Sequence, residues 1–165
     1  MRCACGQVAF EAVGEPIVAG VCYCDDCQAG GRAIEALPDA PTALDADGGA
    51  DYLIYRDDKI RCVKGEKLIA AHKLKAKSHT TRYYTKCCHS ALYVKFGPGH
   101  WTSTFRNRFD VIDLPPVALP NVEMRNMTRF RTSGLPYPDD APTYRKFPFR
   151  LFWELIKARL HMIVG

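Results

Sequence analysis

The chain has 165 residues, 47% of them hydrophobic and 25% charged, with a formal charge of +5 and eight cysteines. That is one domain's worth of ordinary soluble composition, long enough to bury a single core. No apolar run approaches the roughly 20 residues that span a bilayer, and the opening Met1-Arg2-Cys3-Ala4-Cys5 has no apolar leader segment. These features point to the cytoplasm, where thiols stay reduced and clustered cysteines signal metal or catalysis rather than disulfides.

The alternation in Gln7–Val13 predicts a strand, and Gly14-Glu15-Pro16 turns the chain into a second one at Ile17–Cys22. Asp25-Asp26-Cys27-Gln28 begins a short helical turn that Gly30-Gly31 ends, and the Pro-, Asp-, Ala- and Gly-rich Leu37–Asp51 reads as loop. Strands resume at Tyr52–Arg56, Ile60–Val63, Leu68–Leu74, Thr80–Thr85 and Ala91–Phe96, with short turns between them. Beyond Gly97-Pro98-Gly99 the pattern loosens, and prolines at 115, 116, 120, 136, 138 and 142 indicate a long irregular segment. Pro148 then suits the first turn of a helix in which Phe149, Phe152, Trp153, Ile156, Leu160 and Ile163 form an apolar stripe. Arg150, Glu154, Lys157 and His161 fall opposite that stripe, while Leu151, Leu155 and Met162 widen it. The expected architecture is mainly β with a C-terminal helix. That helix would dock on its own domain, with a dimer contact or a membrane-surface position as alternatives.

Seven of the eight cysteines fall into three clusters: Cys3 and Cys5; Cys22, Cys24 and Cys27; Cys87 and Cys88. Zinc takes tetrahedral thiolate or imidazole ligands delivered as short-spaced pairs from separate turns, so this grouping predicts two sites, one of them a ligand short. The central Cys22-x-Cys24-x-x-Cys27 can hold one ion from a single turn. Three thiolates make the zinc a weak Lewis acid but leave it able to hold an incoming thiol as thiolate, which suits sulfur chemistry better than hydrolysis. His72, His89 or Asp25 could instead close that site. Counting seven thiolates and two zinc ions would bring the net charge down to about +2, a poor attractor of nucleic acid. Cys62 reads as an inert core thiol, and His100-Trp101 as a packed aromatic beside a solvated imidazole or the edge of a pocket. Arg106, Arg108, Arg125, Arg129 and Arg131 could each pair with a ligand carboxylate, with no spacing that singles one out.

Cys3-Ala4-Cys5-Gly6, the central C-x-C-x-x-C and a late cysteine knuckle after an aromatic strand, in that order, resemble the glutathione-dependent formaldehyde-activating enzyme family, which includes centromere-protein V relatives. The matching features run over about residues 1–96. The resemblance implies a β-tent fold of small antiparallel sheets. It further implies a closed structural zinc site from the first pair and the late knuckle, and a catalytic zinc on Cys22, Cys24 and Cys27. It implies carbon–sulfur lyase chemistry, the joining of glutathione and formaldehyde into S-hydroxymethylglutathione. One departure stands out. The family knuckle reads Phe-Cys-x-x-Cys-Gly-Ser, whereas here Tyr84-Thr85-Lys86-Cys87-Cys88-His89-Ser90 puts Thr85 in place of the first cysteine. Cys87 is expected to supply the missing sulfur beside Cys3, Cys5 and Cys88, with His89 as the substitute. The chain thus reads as a divergent member, with a zinc-binding domain over 1–146 and an amphipathic helix over 147–165. Its expected partners are a small thiol such as glutathione and, through the helix, a second copy. A non-enzymatic zinc module that binds protein or nucleic acid is the alternative reading.

Overall fold

The computed structural model describes residues 1–109 and 118–164. Its class is the expected one: mainly β, in two sheets, with a C-terminal helix. Among the described residues nine strands form: β1 (Ala9–Ala12), β2 (Val18–Cys22), β3 (Ala50–Arg56), β4 (Ile60–Lys64), β5 (Ile69–His72), β6 (Thr80–Thr85), β7 (Ala91–Phe96), β8 (Trp101–Phe105) and β9 (Met124–Asn126). Two α-helices accompany them among the described residues, α1 (Asp25–Glu35) and α2 (Phe149–Val164).

β1 and β4 pair as a small antiparallel sheet, and the other seven run in the order β5-β6-β7-β8-β3-β2-β9. All pairs in the large sheet are antiparallel except β2 with β9, where Gly20, Val21 and Cys22 run parallel to Met124, Arg125 and Asn126. Because side chains alternate across a strand, the register sorts residues by face. Cys22 faces Ala50, and Tyr52 faces Phe105, so these four share one face. α1 covers that face through Ile34, and α2 covers its far end by setting Leu151 and Leu155 against Val18 and Met124. The opposite face, with Ala19, Leu53 and Tyr55, packs against Ala12 and Ile60 of the small sheet.

Three expectations are corrected here. α1 does not stop at Gly30-Gly31 but runs through both to Glu35. These glycines serve packing: a Cβ on Gly30 would lie 1.7 Å from Arg82 Nε, and one on Gly31 would lie 2.5 Å from a Leu44 methyl. The segment after Gly99, expected to be irregular, contributes β8 and β9. β8 hid because two of its three buried residues are threonines whose hydroxyls are satisfied, Thr102 by Asp57 Oδ1 at 2.8 Å and Thr104 by the Leu53 carbonyl at 2.6 Å. Finally, α2 docks through Leu151, Leu155 and Ala158, not through the aromatic stripe, which faces out. Prolines 115 and 116 lie outside the described residues.

Candidate metal centres

The central cluster sits where β2 ends and α1 begins. Cys22 is the last residue of β2, bracketed by Ala50 on β3 and Asn126 on β9. Cys24 is the residue that caps α1: its backbone is extended, and its Sγ accepts the Cys27 N–H at 3.4 Å. A helix N-terminus presents unpaired N–H groups and partial positive charge, which favours an anion there. Hydrogen bonds from the Cys22 and Cys27 thiols are the larger effect and, although burial opposes ionisation, hold Cys24 at about 3, with the backbone N–H groups of the helix start adding to them. The same sharing pushes Cys22 well above the usual thiol value. At Cys27 the Cys22 thiol favours ionisation, but Cys24 and burial outweigh it and raise the group to about 12. Without metal, then, one negative charge is shared among three sulfurs.

The three sulfurs lie within 4.8 Å of one another, and among the described residues no histidine or carboxylate joins them. His89 is committed elsewhere, its Nδ1–H donating to the Pro38 carbonyl at 2.7 Å. Tyr52 is the neighbour that the sequence did not reveal: its hydroxyl lies 3.8 Å from Cys27 Sγ, where it can donate. Burial, and then the charge of the neighbouring thiols, raise Tyr52 well above the usual phenol value, so it stays a neutral donor at physiological pH. Its position follows from β3 alternation once β2 is known to be the partner strand.

The second cluster brings Cys3 and Cys5 to the turn between β6 and β7, so that Cys3, Cys5, Cys87 and Cys88 lie within 4.8 Å of one another. Sulfur separations are 3.6 Å for Cys3–Cys5, 3.3 Å for Cys5–Cys87 and 3.9 Å for Cys87–Cys88. Four sulfurs about 2.3 Å from a tetrahedral zinc would stand about 3.8 Å apart, so the donor set fits that ion. Cys3 Sγ also accepts the Val8 N–H at 3.2 Å. The adjacent pair is accommodated by the residue that follows it, because His89 adopts φ 49° and reverses the chain.

Thr85 occupies the place where a cysteine was expected, and its hydroxyl is engaged in hydrogen bonds. Its hydroxyl accepts the Ser90 N–H at 3.1 Å, while Ser90 Oγ accepts the Ala4 N–H at 2.9 Å. With those lone pairs used, both hydroxyl protons are free to point at Cys88 Sγ, 3.3 Å from Thr85 and 3.1 Å from Ser90. Burial raises Cys88, but these two donors and nearby backbone N–H groups outweigh it and hold the thiol at about 5. Arg108, buried and bonded to the Thr42 carbonyl at 2.9 Å, adds a cation that interacts with Cys88 and Cys3.

Residues 1–38 match the glutathione-dependent formaldehyde-activating enzyme family. That stretch holds Cys3, Cys5, Cys22, Cys24 and Cys27 and ends before Cys87 and Cys88, so the formaldehyde-activating match is shorter than the 1–96 expected. A crystal structure of a Rhodobacter sphaeroides protein is similar, at 15% identity and a TM-score of 0.46, over 70% of this chain and 89% of that one. No curated protein matches.

The other candidates are accounted for locally. Cys62 is half-buried on β4 and donates to the Lys64 carbonyl at 3.3 Å. Arg106, Arg125 and Arg131 are paired with Asp51, Asp140 and Asp47, and Arg129 lies over the Phe130 ring. His100 is half-buried rather than freely solvated: its Nε2–H donates to the Leu155 carbonyl at 2.8 Å and ties α2 to the start of β8.

Proposed function

We propose that the chain is a zinc-dependent carbon–sulfur lyase-type enzyme acting on an adduct of glutathione or another small thiol, in the class that forms S-hydroxymethylglutathione. The observation that carries this reading is the three-thiol cluster at the start of α1, with no histidine or carboxylate as a fourth ligand among the described residues. Cys22, Cys24 and Cys27 would hold the catalytic ion, and Cys3, Cys5, Cys87 and Cys88 a structural one. Bound at the three-sulfur cluster, zinc would supply a thiophilic position that keeps an incoming thiol deprotonated.

The chain's own residues do the rest. The N-terminus of α1 stabilises negative charge at Cys24, and Tyr52 orients Cys27 by donating to it. In the reaction, a sulfur lone pair forms the new S–C bond and the carbonyl π pair moves to oxygen. That oxygen then takes up the proton the thiol lost. No oxidant or reductant is required. The cysteines would stay reduced in the cytoplasm, where we place the enzyme.

The test is to follow S-hydroxymethylglutathione formation by NMR exchange, with and without the zinc-loaded protein. Acceleration that Cys24→Ser abolishes is the expected result. No acceleration from protein carrying both ions would remove the lyase reading and leave a non-enzymatic zinc module.

A further inference from the structure

α2 is amphipathic twice over. Its inner side buries Leu151, Leu155 and Ala158. Its outer side leaves Phe149 79%, Phe152, Trp153 and Ile156 49%, Leu160 53% and Ile163 69% exposed. At 100° per residue those six fall within an arc of about 100°, roughly opposite the buried side. Burying one face satisfies the usual requirement of a surface helix, so a second, aromatic-rich face needs a different environment.

The charges flanking that face indicate which environment. Arg159 borders the stripe on one side, Lys157 and Arg150 on the other, and Arg145 and Lys146 are exposed just ahead of the helix. The single acid on α2, Glu154, is held by Lys157 at 2.7 Å, and Arg150 is paired with Glu123 at 2.6 Å. Arg145, Lys146 and Arg159 have no ion-pair partner among the described residues. An apolar groove of about 300 Å³ runs beside the stripe, between Trp101 and the Phe152, Ile156 and Leu160 side chains, with Arg159 on its lining. A second copy would bring the same cations to face one another, so self-pairing lacks charge complementarity.

We propose that the outward face of α2 lies on an anionic lipid surface, with the helix in the plane of the interface. An apolar aromatic face bordered by cations is the pattern that seats a helix at the headgroup boundary. With 16 residues the helix is about 24 Å long, and no helix among the described residues is long and apolar enough to cross a membrane, so it would lie flat. Absence of vesicle binding would leave the proposed zinc chemistry untouched.

The test is co-sedimentation of the full chain with vesicles of phosphatidylcholine containing about one third phosphatidylglycerol, against phosphatidylcholine alone. Binding to the anionic vesicles, at least about tenfold weaker on the neutral ones and falling with salt, is expected. Replacing Arg145, Lys146 and Arg159 by Gln should weaken it about fivefold per cation, and Ile156→Glu should abolish it. Should the charged variants misfold, brominated lipid still reports on the native protein: it should quench Trp153, with the quenching reduced in Trp153→Phe. No binding, or equal binding to neutral vesicles, overturns the proposal. So does a concentration-dependent dimer without vesicle binding that Ile156→Glu dissociates, which would make the face a contact between copies.

Discussion

Gly30→Ala separates two accounts of why a Gly-Gly pair sits inside α1. In an exposed helix interior the change would stabilise by about 1 kcal/mol. Here the new methyl would meet Arg82 at 1.7 Å from Nε, 2.3 Å from Cδ and 2.6 Å from Cζ. Arg82 is only 3% exposed and donates to the Asp26 carbonyl at 2.6 Å, so it has little room to move and a bond to lose. Overpacking costs about 1–3 kcal/mol, and the lost charged hydrogen bond about 1.5–3 kcal/mol. Set against the helix-propensity gain, the net is a loss of about 3 kcal/mol, which in a chain of this size lowers Tm by about 6–12 °C. Thermal melts of the metal-loaded protein measure it. In an Arg82→Met background the same change should cost at least about 1 kcal/mol less, because the crowding partner is gone. An unchanged or raised Tm for Gly30→Ala would refute the packing argument.

Three other outcomes follow from the sites. In metal-free protein, Cys24 and Cys88 ionise at about 3 and about 5, below an unfolded thiol, so their stabilisation is present above pH ~8.5 and is lost as pH falls towards those values. Cys27, raised to about 12, acts the other way above pH ~8.5, so denaturant melts should give a stability maximum near there. Cys24→Ser should flatten the acid limb; a limb unchanged in that variant would contradict the shared-charge picture. Thr85→Val removes one donor to Cys88 and should raise that thiol by about 1–2 pH units, seen as metal loss to a chelator at correspondingly higher pH. Unchanged retention would show that Ser90 alone suffices. Tyr52→Phe keeps the ring against Phe105, at 4.9 Å between centroids, and deletes only the hydroxyl. Turnover should drop about fivefold with packing intact, and an unaltered rate would remove Tyr52 from the site.

Much of this was legible in the sequence where one signal dominated. β6 and β7 sit on the predicted residues because Thr80–Thr85 and Ala91–Phe96 are bounded by turn residues on both sides. Cysteine spacing announced both clusters, since thiols two or three residues apart are brought together by a single turn of chain. β9 was not legible: Met124-Arg125-Asn126 is three residues long, and its pairing with distant backbone, chiefly β2, makes it a strand. α2 misled for a physical reason. Apolar periodicity says that a face avoids water, not what covers it, and here the stronger stripe points away from the core. That Cys87 and not His89 gathers with Cys3, Cys5 and Cys88 follows from the folded turn between β6 and β7, which spacing does not encode.

Counting metal per chain tests most directly whether the two thiol clusters are independent metal sites. Native mass spectrometry of protein purified without chelator should find two zinc ions. One should remain in Cys24→Ser/Cys27→Ser, and one in Cys3→Ser/Cys88→Ser. Finding no metal in the unaltered protein, or losing both ions from either double variant, would contradict their independence as metal sites.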